Sequence, residues 1–299
     1  MSQLIFKLFA IYVVTILLSS SLMWMMIEKT DDEVIKVTNQ AYDDALPSGP
    51  DAPPSSDGIW LFAYVIAGAV VFMVLFRKFK IHLKDIIKYL EIFYIGYCFF
   101  MLGFIVMNFI GANMYYTMSI ASAMGLFFAI WRWLGETSNM NAIVISAVIG
   151  AIIGGMLIFD SAIVFGVLMI VYDIIAVFWT KHMLTIAKEI TQYRTAMVVT
   201  VTDPGHENDP PGFSEQRAKD HIPHRMDLGA GDLFMSSLLV SFSLKIPGMF
   251  WFTFPAAIVG FVATVALLKI LNRPIPALPT IVGCILASML AFKFLTGSI

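Results

Sequence analysis

The sequence predicts an all-α membrane protein, a polytopic bundle of about nine transmembrane helices with a short β segment in the loop after the sixth. Three observations carry that prediction. Hydrophobic residues make up 59% of the chain and charged residues only 13%, against roughly 25% charge in an ordinary soluble domain. Mean hydropathy is +0.82. Apolar runs of the ~20 residues needed to cross a hydrocarbon core recur along the chain. The net charge of -2, without any basic stripe or basic-aromatic array, argues against a nucleic-acid partner.

Spans are expected near 4–27, 59–76, 88–110, 114–134, 141–159, 161–181, 229–246, 249–270 and 277–295. Lys7 is the charge within the first, and Ser19-Ser20-Ser21 would suit signal-peptide cleavage. The apolar run is longer than the roughly 7–15 residues of a signal core, so a retained anchor is expected. Between Glu28 and Gly58 the chain is acidic and turn-rich, with Pro47, Pro50, Pro53 and Pro54, as in a solvated loop. The next connection, Arg77 to Lys84, is short and basic. With the N-terminus inside, only Lys29, Lys36, Lys245 and Lys293 of the 19 lysines and arginines fall outside. The positive-inside rule therefore favours N-in and C-out. Cys98 and Cys284 both fall in spans and read as packed thiols, with neither a disulfide framework nor a zinc spacing.

Two acids lie deep in apolar runs. Asp173 sits in Val171-Tyr172-Asp173-Ile174-Ile175, and Asp232 follows Gly229-Ala230-Gly231 and precedes Leu233-Phe234-Met235. Acids within a membrane helix face the bundle interior or a water-filled cavity and have partners. The expected orientation sets their depth. Asp173 lies eight residues before Lys181 and Asp232 seven after Arg225, about 12 Å and about 10 Å from the same side at 1.5 Å per residue. The two carboxyls should share one level on antiparallel neighbours. At close range in a low dielectric they cannot both ionise, so they would hold one proton between them. One would then deprotonate a water while the other protonates a carbonyl oxygen.

Other residues cluster with them. Gly229 and Gly231 would allow close backbone approach, and conformations barred to other residues, where the seventh helix begins. Pro276-Ala277-Leu278-Pro279 opens the ninth helix on the same side. One proline at a helix start is ordinary; two bracketing Ala-Leu suggest an unwound start, tolerated at membrane depth where it is buried or lines a cavity. Gly150 and Gly154 form a small-xxx-small pattern that reads as helix packing.

Together these motifs are specific. Tyr172-Asp173, then Gly229-Ala230-Gly231-Asp232, then Pro276-Ala277-Leu278-Pro279, on the sixth, seventh and ninth of nine helices, resemble the presenilin and signal peptide peptidase family of intramembrane aspartyl proteases. A microbial homologue, archaeal by expectation, is the form it looks like. Val171, Ala176, Val177, Lys181, Met183 and Leu184 are similar to the flanks of the presenilin sixth helix. The resemblance spans about 170–290; before that only the layout of helices is similar. It implies that Asp173 and Asp232 are the catalytic pair, that Gly229 and Gly231 shape the second motif, and that Pro276 to Pro279 line the site and help admit substrate. It also implies no cofactor and no metal, and the sequence has no HExxH; His221-Ile222-Pro223-His224 lacks that spacing. Presenilins carry Leu between the glycines where this chain has Ala230, which bears on cleavage preference. The presenilin-like orientation agrees with the charge count.

Residues 1–160 then read as an N-terminal five-helix part with its outside loop 28–58, and 161–299 as the catalytic part with the inside loop 182–228. In that loop Met183 to Tyr193 has helical character, while Thr195 to Thr202 is β-branched and favours a strand. Asp203-Pro204-Gly205 ends it. Through Thr195, Met197, Val199 and Val201 this strand could pair with an unwound substrate, as in β-augmentation. The expected partners are transmembrane-helix protein substrates and the lipid bilayer of the cell membrane, with homo-oligomers left open. The alternatives are a proton- or cation-coupled transporter using the same acids, a prepilin-peptidase-like enzyme, which would not explain Pro276 to Pro279, and a scaffold, which leaves the paired acids unexplained.

Overall fold

The computed structural model describes residues 2–28, 56–78, 83–135, 139–179, 198–202, 225–271 and 276–297. Among the described residues the chain forms α1 (Ser2–Glu28), α2 (Ser56–Lys78), α3 (Leu83–Ile110), α4 (Met114–Leu134), α5 (Asn139–Met156) and α6 (Phe159–Ile174). A π-helical turn (Ile175–Trp179) extends α6, and β1 (Val198–Thr202), β2 (Arg225–Gly229), α7 (Ala230–Ser243), α8 (Phe250–Leu271) and α9 (Leu278–Thr296) follow. Each expected span has its helix. Seven are long and apolar enough to cross a membrane, α2 and α7 being outside that set. Residues 29–55 of the expected acidic loop, the stretch 183–193 expected to be helical, Thr195 and Met197, the expected strand stop at 203–205, and 221–224 lie outside those described.

The ends of the helices follow from local chemistry. Gly111, at φ 80°, closes the turn between α3 and α4, a conformation that favours glycine. Asn113 then caps α4, its side chain accepting from the Tyr115 N–H at 3.2 Å, as an N-cap does. At the far end of α5, the Lys245 ammonium donates to the carbonyls of Gly155 and Leu157 at 2.8 and 2.9 Å, groups that a helix leaves without intrahelical partners. The seventh helix is shorter than its expected span of 229–246: it ends at Ser243, and a turn through Gly248, at φ 86°, leads to α8.

The core is built on α7. Leu233, Met235, Leu238 and Leu239 of this helix are fully buried, with α5, α1, α9 and α8 packed around it. The first helix contributes Leu4, Leu8, Tyr12 and Ile16 to the same cluster, so it is part of the bundle interior. A second cluster joins α3 and α4 to α1 and α5, with Phe99 stacked on Phe128 at 3.6 Å and a buried Arg132–Glu91 ion pair at 2.7 Å. Large apolar side chains such as Phe93, Tyr115, Leu134, Trp251 and Phe294 point outward, as expected where the surrounding medium is lipid.

The small residues of α5 set the distance to α7. A Cβ on Gly150 would lie 2.7 Å from the Ser237 Cβ, and one on Gly154 2.6 Å from the Leu238 carbonyl oxygen. The packing role expected of this pair is thus borne out. Gly154→Ala should cost ~1–3 kcal/mol of stability through overpacking against backbone, read as a lower unfolding midpoint in detergent. Gly283→Ala in α9, where an added Cβ meets nothing within 4 Å, should be neutral or stabilising by up to ~1 kcal/mol.

Candidate active site

Asp173 ends the regular part of α6, just before the π-helical turn, and Asp232 lies in the first turn of α7. These two helices touch only slightly; α9 packs on both and joins them. Asp173 is buried, and its Oδ2 accepts a hydrogen bond from the Leu278 N–H at 3.2 Å. Leu278 is the first residue of α9, where Ala277 offers no side-chain cap and proline follows. The amides of a first helical turn have no intrahelical partner, and Pro279 has no N–H at all. One of those free amides is therefore spent on a carboxylate, as at helix N-termini that hold anions. Asp232 stands at the start of α7, within electrostatic range of Asp173. The start of α9 thus meets Asp173, and the start of α7 carries Asp232.

The glycines act differently from the expectation. Gly229 caps α7 at φ -65° and ψ 137°, and neither it nor Gly231 has a positive φ. Any residue could adopt that backbone, so conformational freedom is not their contribution. Proximity is the contribution of Gly229, where a Cβ would lie 3.3 Å from Asp232 Oδ2. Gly231 is exposed, with nothing within 4 Å of an added Cβ. Between them, Ala230 has its carbonyl held by the Ser146 hydroxyl at 3.1 Å.

The remaining expected residues are placed as follows. Pro276 is buried and Ala277 and Pro279 are half-buried on either side of Leu278, whose N–H is the contact of this segment with Asp173. Tyr172 is half-buried, its ring edge-on to Phe62 of α2 at 6.5 Å. Val199 and Val201 are buried in β1, which pairs antiparallel with β2, Val199 opposite Leu228 and Val201 opposite Met226. Among the described residues no group of three or more His, Cys, Asp or Glu side chains could hold a metal ion.

Three residues absent from the sequence reading contact this site. Tyr12 of α1 is fully buried, stacked on Phe261 at 4.5 Å. Its hydroxyl reaches Ser236 Oγ at 3.0 Å and the Ala257 carbonyl at 3.2 Å, while Ser236 donates to the Asp232 carbonyl at 2.8 Å. Ser146 and Asn139, both on α5, hold the Ala230 carbonyl and the backbone of Thr200. A signal existed for these two. Asn139, Ser146, Gly150 and Gly154 recur at the spacing of one helical face, and the glycines alone were read from it.

The profile of the signal-peptide peptidase, presenilin aspartyl protease family matches residues 45–297. The chain belongs to that family. It is an intramembrane aspartyl protease, a peptide-bond hydrolase, and the coupled-transporter alternative is set aside. Two solved structures of a presenilin-family intramembrane aspartate protease are similar in fold. One, in space group C222, is 19% identical with TM-score 0.62, covering 98% of this chain and 99% of that one. The other, in space group P2, is 20% identical with TM-score 0.54 and coverage of 95% and 97%. No match was found among curated proteins. The seven apolar spans and the family together make this presenilin-like chain an integral membrane protein.

The Tyr12–Ser236 contact gives a direct test of how firmly α1 holds the start of α7. Tyr12→Phe and Ser236→Ala should each lower stability by ~1 kcal/mol, the net worth of a buried hydrogen bond. The double variant should lose less than the sum. Denaturation midpoints of the four proteins in one detergent would show it, and strict additivity would exclude the coupling.

Proposed function

We propose that this protease cleaves peptide bonds within transmembrane segments, with Asp173 and Asp232 as its catalytic pair sharing one proton. The observation that supports this reading is the Leu278 N–H on Asp173 at the start of α9, the helix that packs on both α6 and the Asp232-bearing α7. In the first step the ionised carboxylate removes a proton from water as its oxygen attacks the scissile carbonyl carbon. The protonated partner gives its proton to the carbonyl oxygen. When the gem-diol collapses, the C–N bond breaks as the carboxyl that took the water proton gives it to the leaving nitrogen, and the other carboxylate takes a proton from a diol hydroxyl, so the pair is again singly protonated. Gly229 leaves the Asp232 carboxyl unobstructed, and the open flank of Gly231 leaves room for a substrate backbone. Ala230, where presenilins carry leucine, bears on cleavage preference.

The sheet suggests how an unwound substrate is held. Thr200 bonds Asn139 through both its N–H and its carbonyl, so it forms a pair with Asp227 that is not hydrogen-bonded. Val199 and Val201 are then the residues that exchange bonds with Leu228 and Met226. By the same alternation the backbone groups of Asp227 and Gly229 face the other side of β2, which no further strand borders among the described residues. We place an extended substrate there, on the edge that runs into Asp232, rather than on the strand from Thr195 to Thr202. Freeing backbone groups in hydrocarbon costs several kcal/mol each, and β-augmentation supplies their replacements.

Cleavage of a single-span substrate in proteoliposomes tests the catalytic pair. Asp173→Asn and Asp232→Asn should each lower kcat/KM by about 10³-fold or more, while both proteins insert and keep the wild-type unfolding midpoint within a few degrees. Substantial turnover by either folded variant would sink the two-acid mechanism.

The shared proton makes a second expectation. At low pH both carboxyls are protonated and no base is present; at high pH both are ionised and no acid is present. The profile of kcat/KM against pH should fall on both sides, with both limbs belonging to the pair. A monotonic rise toward alkaline pH would mean a single base.

A further inference from the structure

We propose that Asn139 is a positioning residue that pins the β1–β2 hairpin to α5 and occupies the outer edge of β1, so that the edge of β2 beside Asp232 is set in place before substrate arrives. The inference rests on the proposed peptidase reading, and concerns a residue outside the three motifs that carry the family resemblance. Asn139 begins α5. Its Nδ2 donates to the Thr200 carbonyl at 2.7 Å, and its Oδ1 accepts from the Thr200 N–H at 3.1 Å. A carboxamide offers one donor side and one acceptor side, which is what a neighbouring strand residue would offer at that place. The side chain therefore stands in for a strand. It satisfies the central backbone groups on one edge of the sheet, and the opposite edge, on β2, has no neighbouring strand among the described residues.

The attachment matters because of what else α5 holds. Two turns further along the same face, Ser146 bonds the Ala230 carbonyl, and one and two turns beyond that Gly150 and Gly154 seat α7. Hairpin, the junction of β2 with α7, and α7 itself are all referred to a single helix. The spacing between the free edge of β2 and the Asp232 carboxyl is thereby fixed by α5. Without the Asn139 contact the hairpin keeps its internal ladder but loses this anchor, and part of its ordering falls on the binding step. A substrate that uses the sheet then binds less tightly. A small ligand that touches only the carboxyls is unaffected.

The experiment compares wild type, Asn139→Ala and Asn139→Asp as full chains in detergent and in proteoliposomes. Backbone amide exchange is measured at Thr200, and cleavage with a single-span substrate. Binding of a small hydroxyl-bearing isostere serves as the probe of the carboxyls alone. In Asn139→Ala the Thr200 amide should lose protection. KM should rise about tenfold, from the loss of two hydrogen bonds of ordinary strength, with kcat within about twofold and isostere affinity unchanged. Asn139→Asp keeps the acceptor for the Thr200 N–H and loses the donor to its carbonyl, so it should retain amide protection and show a smaller rise in KM. Protection at Thr200 that survives Asn139→Ala would overturn the proposal, as would unchanged cleavage once that protection is lost. Loss of isostere affinity in parallel with KM would also overturn it, since that marks general damage to the bundle. A wild type that cleaves nothing would instead fail the peptidase reading, and the exchange measurement does not depend on it.

Discussion

The hydrogen bond from the Leu278 N–H to Asp173 Oδ2 answers the constraint that governs the whole molecule: within hydrocarbon, a polar group must find its partner in the protein. Asp173 and Asp232 ride on α6 and α7, which scarcely meet, and α9 touches both. A start for α9 with free amides is therefore needed at that place. Pro279 favours it, since a proline in the first turn has no N–H to compete with that of Leu278. The same rule shapes the rest of the interior. Ser19 and Ser241 meet at 2.6 Å between α1 and α7, Thr253 reaches Ser243 at 2.7 Å between α8 and α7, and Arg132 is paired with Glu91 between α3 and α4. Interhelical hydroxyl contacts of this kind serve as glue where no hydrophobic difference drives helices together.

Closeness is the second requirement, and it is met by what side chains lack. Gly150 and Gly154 bring α5 onto α7 at backbone distance, and Gly260 does so for α8 on α9, where an added Cβ would lie 2.8 Å from the Ile281 Cα. Gly229 applies the same logic to chemistry, since a side chain there would press on the Asp232 carboxyl. In all four the glycine is chosen for missing volume.

Much of this was legible in the chain. Nine apolar runs with glycine, proline and charge between them correspond to nine helices among the described residues, because span length is set by the bilayer and not by detailed packing. Asp173, Asp232 and the Pro276 to Pro279 segment stood out because acids and paired prolines are costly inside apolar runs. What was missed depends on partners distant in sequence. Arg225 to Gly229 has no β-branched residue and becomes a strand only because β1 lies beside it. The π-helical turn after Asp173 changes hydrogen bonding without changing apolar periodicity. Tyr12 lies 224 residues from Ser236, and nothing in an amphipathic stripe says which helix it will face. Asn139 lies before the expected span of 141–159 and begins α5, a place where asparagine is ordinary.

On the proposed reading, the open edge of the sheet and the acids have to be at the same end of the bundle. A substrate helix satisfies its own backbone bonds, so the enzyme gains nothing by attracting it unless replacement partners stand where the helix is to be opened. Those partners must also be next to the attacking water, because an unwound segment in hydrocarbon is stable only over the few residues whose groups are paired. β2 runs without interruption into Gly229 and α7, which puts the last backbone groups of its free edge three residues from Asp232. The short length of α7, 14 residues, then has a reason. Starting the helix deeper would separate the edge from the acid, whereas a longer lead at the membrane surface would place the opened segment in water, where no enzyme is needed to satisfy it.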